Sequence, residues 1–302
     1  MLYRPFDTKH LFYNDMLIER SRKEVMKHMM KENFGLNVVR QFKKGESYSH
    51  VLVSNTISES CYLSNSTSEI GYVSPLYLYD DPIEVGGVKG GTAGTKYQMS
   101  MVLEPEKGYT VGRKANIAKP VWDAVTDIHG KFATPENIFY YIYAVLYAPK
   151  YRKKYAEFLK TDFPRVPFTS DKSAFKELAE YGEVLTEMHL MKSKKLLKPT
   201  AKCEGKGDFK VEKLRYEPKE KRVYINSDQY FSGVAPEVWE YHIGGYQVPE
   251  KWLKDRKGRA LSSDDIRHYC LIITVLEKTI EIQSELDPLF DAVEKNVIPI
   301  QW

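Results

Sequence analysis

The stretch Thr134 to Phe168 reads TPENIFYYIYAVLYAPKYRKKYAEFLKTDFPRVPF. Thr134 suits a helix cap, and Pro135 suits the first turn, where no backbone donor is needed. Ile138, Phe139, Ile142, Val145 and Leu146 then recur at helical spacing and form one apolar stripe. Ala148-Pro149 breaks or kinks that helix. The pattern predicts a second helix with Tyr151, Tyr155, Phe158 and Leu159 on one face and Arg152, Lys153 and Lys154 facing water. The prolines of Phe163 to Phe168 exclude a helix, so this segment runs extended over the core. Physics alone predicts a helical hairpin at the centre of a core.

The chain of 302 residues is long enough to bury a sizeable core, as one large domain or two lobes. No apolar run approaches the eighteen or so residues of a membrane span, and the N-terminus lacks a signal-peptide pattern. A cytoplasmic location is expected. Cys61, Cys203 and Cys270 are far apart, with neither metal-ligand spacing nor an even disulfide set. A net charge of +4 is too mild to identify a nucleic-acid binder. The 22 tyrosines fit a polar aromatic binding surface, and equally a core with hydroxyls at its edge.

Taken in order, residues 19–31 read as a helix that Gly35 stops. Leu36 to Gln41 and His50 to Val53 read as strands joined by a polar loop, and Thr67 to Leu78 holds another. Asp80-Asp81-Pro82 marks a turn. The glycine-rich run 86–96 lacks the Gly-Lys-Ser/Thr order of a phosphate-binding loop and reads as a flexible loop. A third helix starts at Ser170 or Asp171. Residues 209–226 read as a hairpin turning around Pro218-Lys219-Glu220, and Pro236 to Tyr241 as a short helix carrying Trp239. Ser262 or Ser263 caps a last helix over 263–286, which Asp287-Pro288 ends. The whole reads as α+β: a β-rich lobe of antiparallel strands over 1–130 and a mostly helical lobe over 131–302 carrying the hairpin.

Four blocks in a fixed order carry a resemblance: Arg4-Pro5-Phe6-Asp7, the stretch 134–168, Ile243-Gly244-Gly245-Tyr246-Gln247-Val248, and Lys251-Trp252-Leu253-Lys254-Asp255-Arg256-Lys257-Gly258-Arg259. Together they resemble the C-terminal target-recognition region of the type ISP restriction-modification enzymes. Those are large bacterial proteins joining a nuclease, a helicase-like motor, an adenine-N6 methyltransferase and a DNA-reading domain. The resemblance covers nearly the whole chain. In the family the first block lies just beyond the methyltransferase domain. Met1 is therefore expected to be an artificial start or that of a truncated reading frame.

The parent chemistry has no counterpart in these residues. An adenine methyltransferase needs a cofactor loop and an Asn/Asp-Pro-Pro-Tyr/Phe motif around the flipped base, and neither is present. No Walker pair supports a motor. Asp80-Asp81 and Asp264-Asp265 are adjacent acids better explained by a turn and a helix start than by a nuclease metal. The histidines at 10, 28, 50, 129, 189, 242 and 268 lack metal-binding spacing. The chain is thus expected to hold no active site, metal or cofactor. S-adenosylmethionine, ATP and Mg belong to the parent's other domains.

The best candidate for a polyanion contact is the block from Lys251 to Arg259. It sets Lys251, Lys254, Arg256, Lys257 and Arg259 around Asp255, beside Trp252, in what reads as a surface loop. A solvated loop before a helix, with Trp252 in the core, is the plain alternative. Base reading needs paired donors and acceptors. Arg40 and Gln41 at a strand end, Lys43 and Lys44 in the next loop, and Asn55 after the second strand are candidates. Arg113, Lys114 and Asn116 are another set. The resemblance implies a double-stranded DNA recognition module, monomeric, that presents a target adenine to a separate methyltransferase domain. The alternative is a protein-interaction module packing against the methyltransferase and motor without reading DNA.

Overall fold

The computed structural model describes residues 1–302 except 15, 44–46, 65, 67–68, 81–111, 195–197 and 302. The glycine-rich run 86–96 and Lys44 lie outside the described residues.

The chain opens with a small antiparallel pair, β1 (Leu2–Arg4) and β2 (Asp7–Thr8). Helix α1 (Lys23–Met29) is shorter than the expected 19–31, because Arg22 sits in the left-handed region at φ 50°. Strands β3 (Gly35–Val39), β4 (Val51–Ser54) and β5 (Gly71–Pro75) form an antiparallel sheet in the order β4-β3-β5. Gly35 belongs to β3 and does not stop the helix. A Cβ there would lie 2.9 Å from both Met29 and Val73, so glycine lets α1 press onto the sheet. The strand expected over Thr67 to Leu78 divides at Leu76. Strand β6 (Tyr77–Tyr79) pairs instead with β7 (Arg113–Ala115) in a separate ribbon.

The helical layer follows. Helices α2 (Lys119–His129) and α3 (Pro135–Tyr147) are joined by a 3-10 turn, Gly130–Phe132. The Thr134 side chain accepts from the Asn137 N–H, as a cap should. The second expected helix divides at Tyr155 into α4 (Pro149–Lys154) and α5 (Ala156–Leu159), and Asp171 caps α6 (Lys172–His189), which takes their place as the hairpin partner of α3. Helix α3 packs on α6 through Gly182, where a Cβ would sit 1.9 Å from the Tyr140 carbonyl. Tyr141, Tyr143, Val145, Leu146 and Tyr147 of α3 are buried, each such side chain contributing about 1.5–3 kcal/mol. The tyrosines also do polar work inside. The Val53 N–H donates to the Tyr143 hydroxyl at 3.1 Å, and the Tyr147 hydroxyl donates to the Val51 carbonyl at 3.0 Å. They thereby satisfy the backbone of β4 on its free edge.

A second antiparallel sheet, in the order β8-β11-β10-β9, contains the expected hairpin: β8 (Lys202–Glu204), β9 (Arg215–Glu217), β10 (Arg222–Tyr224) and β11 (Tyr230–Ser232). The first hairpin strand is short because residues 209–211 pair elsewhere. The Val211 N–H donates to the Arg259 carbonyl, and the Gly258 N–H to Val211. Helix α7 (Pro236–Trp239), the two-residue strands β12 (His242–Ile243) and β13 (Tyr246–Gln247), and helix α8 (Val248–Lys254) lead to α9 (Ser263–Lys295). Ser262 and Asp265 form a reciprocal capping box at its start. Helix α9 runs through Pro288, contrary to the expected end there. Phe290 and Val293 are buried beyond Pro288, and Phe290 meets Tyr151 edge-on at 5.6 Å. That packing outweighs the ~3 kcal/mol a proline costs a helix interior. One hydrophobic cluster runs from Val39 and Leu52 through Tyr143 and Leu178 to Phe231 and Ile273.

Candidate nucleic-acid interface

Three of the four sequence blocks meet at one junction. Asp7, nearly fully buried, receives Arg256 in a two-pronged pair, Nη2 to Oδ1 at 3.0 Å and Nη1 to Oδ2 at 3.4 Å. The Arg256 guanidinium lies 3.5 Å from the Trp252 ring centre and also reaches Asp265 at 3.5 Å. Arg4 pairs with Glu59 at 2.6 Å and stacks on Tyr3, with the Tyr246 ring centre 5.4 Å away. The Gly244-Gly245 turn is wedged between the residues that lead into β4 and the loop after it. The Gly244 N–H donates to Ser49, and the Gly245 N–H to Leu63, both at 2.9 Å. The remaining block, 134–168, reaches the same interior. Tyr143 hydrogen-bonds His189 Nδ1, and His189 Nε2 contacts Thr279. Burial, then Arg152 nearby, lowers the His189 pKa to about 3, so the ring is neutral. The Thr279 hydroxyl donates to the Val275 carbonyl at 2.7 Å, which leaves it to accept from His189 Nε2–H.

This junction divides the cations between 251 and 259. Lys251 and Lys254 lie on α8, not in a loop, and pair with Asp255 and with Glu250 respectively. Arg256 is buried. Lys257 and Arg259 remain exposed, with no ion-pair partner among the described residues. The segment 209–213 runs antiparallel beside 258–261 and brings exposed Lys210 and Lys213 alongside, with Asp208 and Glu212 offsetting part of their charge. The two lysines had no signal in the sequence, because their neighbourhood depends on a pairing some fifty residues away.

The candidates of the first half separate in the same manner. Arg40 is exposed and 3.6 Å from Asp162; Gln41 and Lys43 are exposed beside it. The Asn116 side chain donates to the Pro75 carbonyl at 3.0 Å and serves the β6–β7 ribbon. On β7, Arg113 and Lys114 point to opposite faces. Arg113 stacks 4.1 Å from the Tyr77 ring centre. It lines a cleft of about 230 Å³ with Asn55, Tyr77, Glu136, Glu32 and Lys192. The Tyr77 hydroxyl donates to Glu136. Burial, and then that bond, pushes the phenol up, which keeps it a donor at neutral pH. Of the sequence candidates among the described residues, only Asn55 and Arg113 meet here. Tyr77, Glu136 and Lys192 were missed, and Glu136 offers no signal beyond its place in a helix's first turn. Among the described residues no group of three His, Cys, Asp or Glu side chains could hold a metal ion, and no helix is long and apolar enough to cross a membrane.

The chain belongs to the Type ISP C-terminal specificity domain family, whose model matches residues 1–285. No curated protein matches it. Three solved structures share the fold. The first is a nuclease-deletion mutant of the Type ISP restriction-modification enzyme LlaGI with a DNA substrate mimic (TM-score 0.62, 20% identity, 94% of this chain, 20% of that one). The second is the ATP-dependent Type ISP enzyme LlaBIII bound to DNA (0.67, 18%, 99% and 18%). The third is a DrdV–DNA complex (0.69, 20%, 94% and 28%). The chain thus corresponds to less than a third of each neighbour's length.

Proposed function

We propose that this chain is a sequence-specific double-stranded DNA recognition module, which presents a target adenine to a separate N6-adenine methyltransferase domain. The observation that carries this reading is the set of exposed cations Lys257, Arg259, Lys210 and Lys213, unpaired among the described residues of a specificity-domain chain. Free lysines and arginines neutralise phosphates and release counterions, which fixes register without reading sequence. Specificity is then left to side chains that reach base edges. The module binds and positions; methyl transfer from S-adenosylmethionine, and motor and nuclease work with ATP and Mg, belong to neighbouring domains. We place it in the cytoplasm as a monomer without a cofactor of its own. The test is binding to duplex DNA across a salt series. Affinity is expected to fall steeply as salt rises; salt-independent binding, or none at low salt, overturns the reading.

A second reading has its own support. Phe12, Met16 and Leu17 are 74%, 84% and 72% exposed on the segment after β2, and an apolar surface of that kind suits a protein partner. In this reading the module packs on the methyltransferase and motor without reading DNA. Mixing the chain with a methyltransferase part, without DNA, separates the two: a stable complex with no DNA binding by the chain favours the second.

A further inference from the structure

The cleft beside Tyr77 is organised more firmly than its exposure requires. Asn33 is buried and holds the Tyr77 backbone from both sides: its Nδ2 donates to the Tyr77 carbonyl at 2.7 Å, and its Oδ1 accepts the Tyr77 N–H at 3.0 Å. The same Asn33 Nδ2 reaches the His28 carbonyl, and the Tyr79 N–H donates to His28 Nδ1, tying the ribbon to α1. Tyr77 is thereby fixed, and it fixes two others. Its hydroxyl holds the Glu136 carboxylate, and its ring carries the Arg113 guanidinium. Pro135 and the Thr134 cap set the backbone of Glu136 at the start of α3. A polar group held by a supporting shell is what recognition of a defined edge demands.

The chemistry of the lining selects the ligand. Glu136 as a carboxylate only accepts, Arg113 and Lys192 only donate, and Asn55 does both. A phosphate suits the donors but is repelled by Glu136. A base edge in the major groove offers both kinds of group, and only cytosine (N4) and adenine (N6) present an amino donor there. The cleft's volume of about 230 Å³ holds several waters or the edge of one base. We propose that Glu136, positioned by Tyr77, is a specificity-determining residue that accepts from the exocyclic amino group of one cytosine or adenine. Arg113 and Asn55 contact the acceptors beside it. This assignment rests on the DNA-recognition reading above and deepens it.

The experiment is selection of bound duplexes from a randomised library by the 302-residue chain and by Glu136→Gln, Tyr77→Phe and Arg113→Ala, with thermal unfolding of each as the folding control. The parent is expected to enrich a site with a cytosine or adenine preference at one position. A glutamine accepts through its oxygen and donates through its nitrogen, so E136Q tolerates a keto-bearing base there. It is expected to lose roughly five- to a hundredfold discrimination at that position alone. Tyr77→Phe should weaken discrimination at the same position by less, because the carboxylate stays but its support is gone. Should E136Q not fold, Arg113→Ala, on an exposed strand, carries the test by relaxing the same position or its neighbour. A parent that fails to bind DNA overturns the function and this assignment together. A parent that selects a site which all three variants select equally well overturns the assignment alone, as does a loss of affinity spread evenly over every position.

Discussion

Two regions of this molecule set an arginine against an aromatic ring and a carboxylate. At the junction, Arg256 lies over Trp252 and is paired with Asp7 and Asp265; at the cleft, Arg113 lies over Tyr77, whose hydroxyl is bound to Glu136. Arg256 is only 7% exposed, whereas Arg113 faces solvent. Out of water a charge must be matched inside the protein, so the junction commits its donors to holding the N-terminal block to the C-terminal half. In water the same groups keep their hydration and can exchange it for a ligand's edge. Three of the four blocks that carry the family resemblance meet at the junction. The residues suited to reading sit in the cleft and outside all four blocks, except Glu136, which opens the stretch 134–168.

The sharpest way to break this contrast is to remove each arginine. Arg256→Ala leaves Asp7 buried without a counter-charge, and about 3–5 kcal/mol of stability is expected to go with it. Arg113→Ala should stay within about 0.5 kcal/mol of the parent, as exposed substitutions do. Urea unfolding of both variants decides it. Equal stabilities, or a greater loss at Arg113, would mean that the buried pair is not what closes the junction.

Gly244→Ala is the next largest. Its Cβ would lie 1.8 Å from the Leu63 carbonyl, at φ 58°. Overpacking costs about 1–3 kcal/mol and the left-handed backbone about 1–2 more. The same change at Gly258, also at positive φ (81°) but with nothing within 4 Å, isolates the backbone part. A Gly258→Ala variant as unstable as Gly244→Ala would remove the close approach as the cause.

Acid should strain the buried interior that joins the two regions. The His189 pKa is lowered from the ordinary 6.5 to about 3, chiefly by burial, and burial lowers that of His50 against the opposing pull of Glu69. The unfolded chain binds a proton that folded His189 refuses. Stability therefore rises with pH between about 3 and 6.5 and is full above that. At pH 5.5 His189 alone should cost on the order of 1 kcal/mol. The fall in melting temperature from pH 7.5 to 5.5 is expected to shrink in His189→Asn, with His50 supplying the remainder. An unchanged fall would place the acid sensitivity elsewhere.

Much of the fold was legible because its signals are local. Thr134-Pro135, Asp171 and Ser262 with Asp265 are caps readable within four residues, and they start α3, α6 and α9 where expected. The failures came from distance. Nothing near Arg22 announces its left-handed backbone, and Pro288 is carried by packing against α4, far back in the chain. The site was less legible for the same reason. Arg256 reads as one cation among five until Asp7, 249 residues away, claims it. Asn55, Arg113 and Glu136 come from three separate segments and gather only once β6 has paired with β7. The tyrosines admitted two readings in the sequence. Tyr48, Tyr141, Tyr143, Tyr147 and Tyr151 take the interior one, each with its hydroxyl on a partner.

The smallest expected effect tests the division of cations within a single block. Lys257 and Arg259 are exposed and unpaired among the described residues, while Lys251 and Lys254 already face Asp255 and Glu250. A free cation that meets a phosphate releases counterions; one paired in the free protein must first give up its carboxylate. Replacing Lys257 and Arg259 with alanine should therefore flatten the plot of log affinity against log salt by about 0.9 for each phosphate no longer neutralised. Binding should weaken alike for every duplex sequence. The same change at Lys251 and Lys254 should move the slope much less and exposes Asp255 and Glu250, so any weakening there reflects added negative charge. If the two double variants change the slope equally, pairing within α8 does not withdraw its lysines from DNA, and the whole block from Lys251 to Arg259 apart from Arg256 acts as one DNA-facing surface.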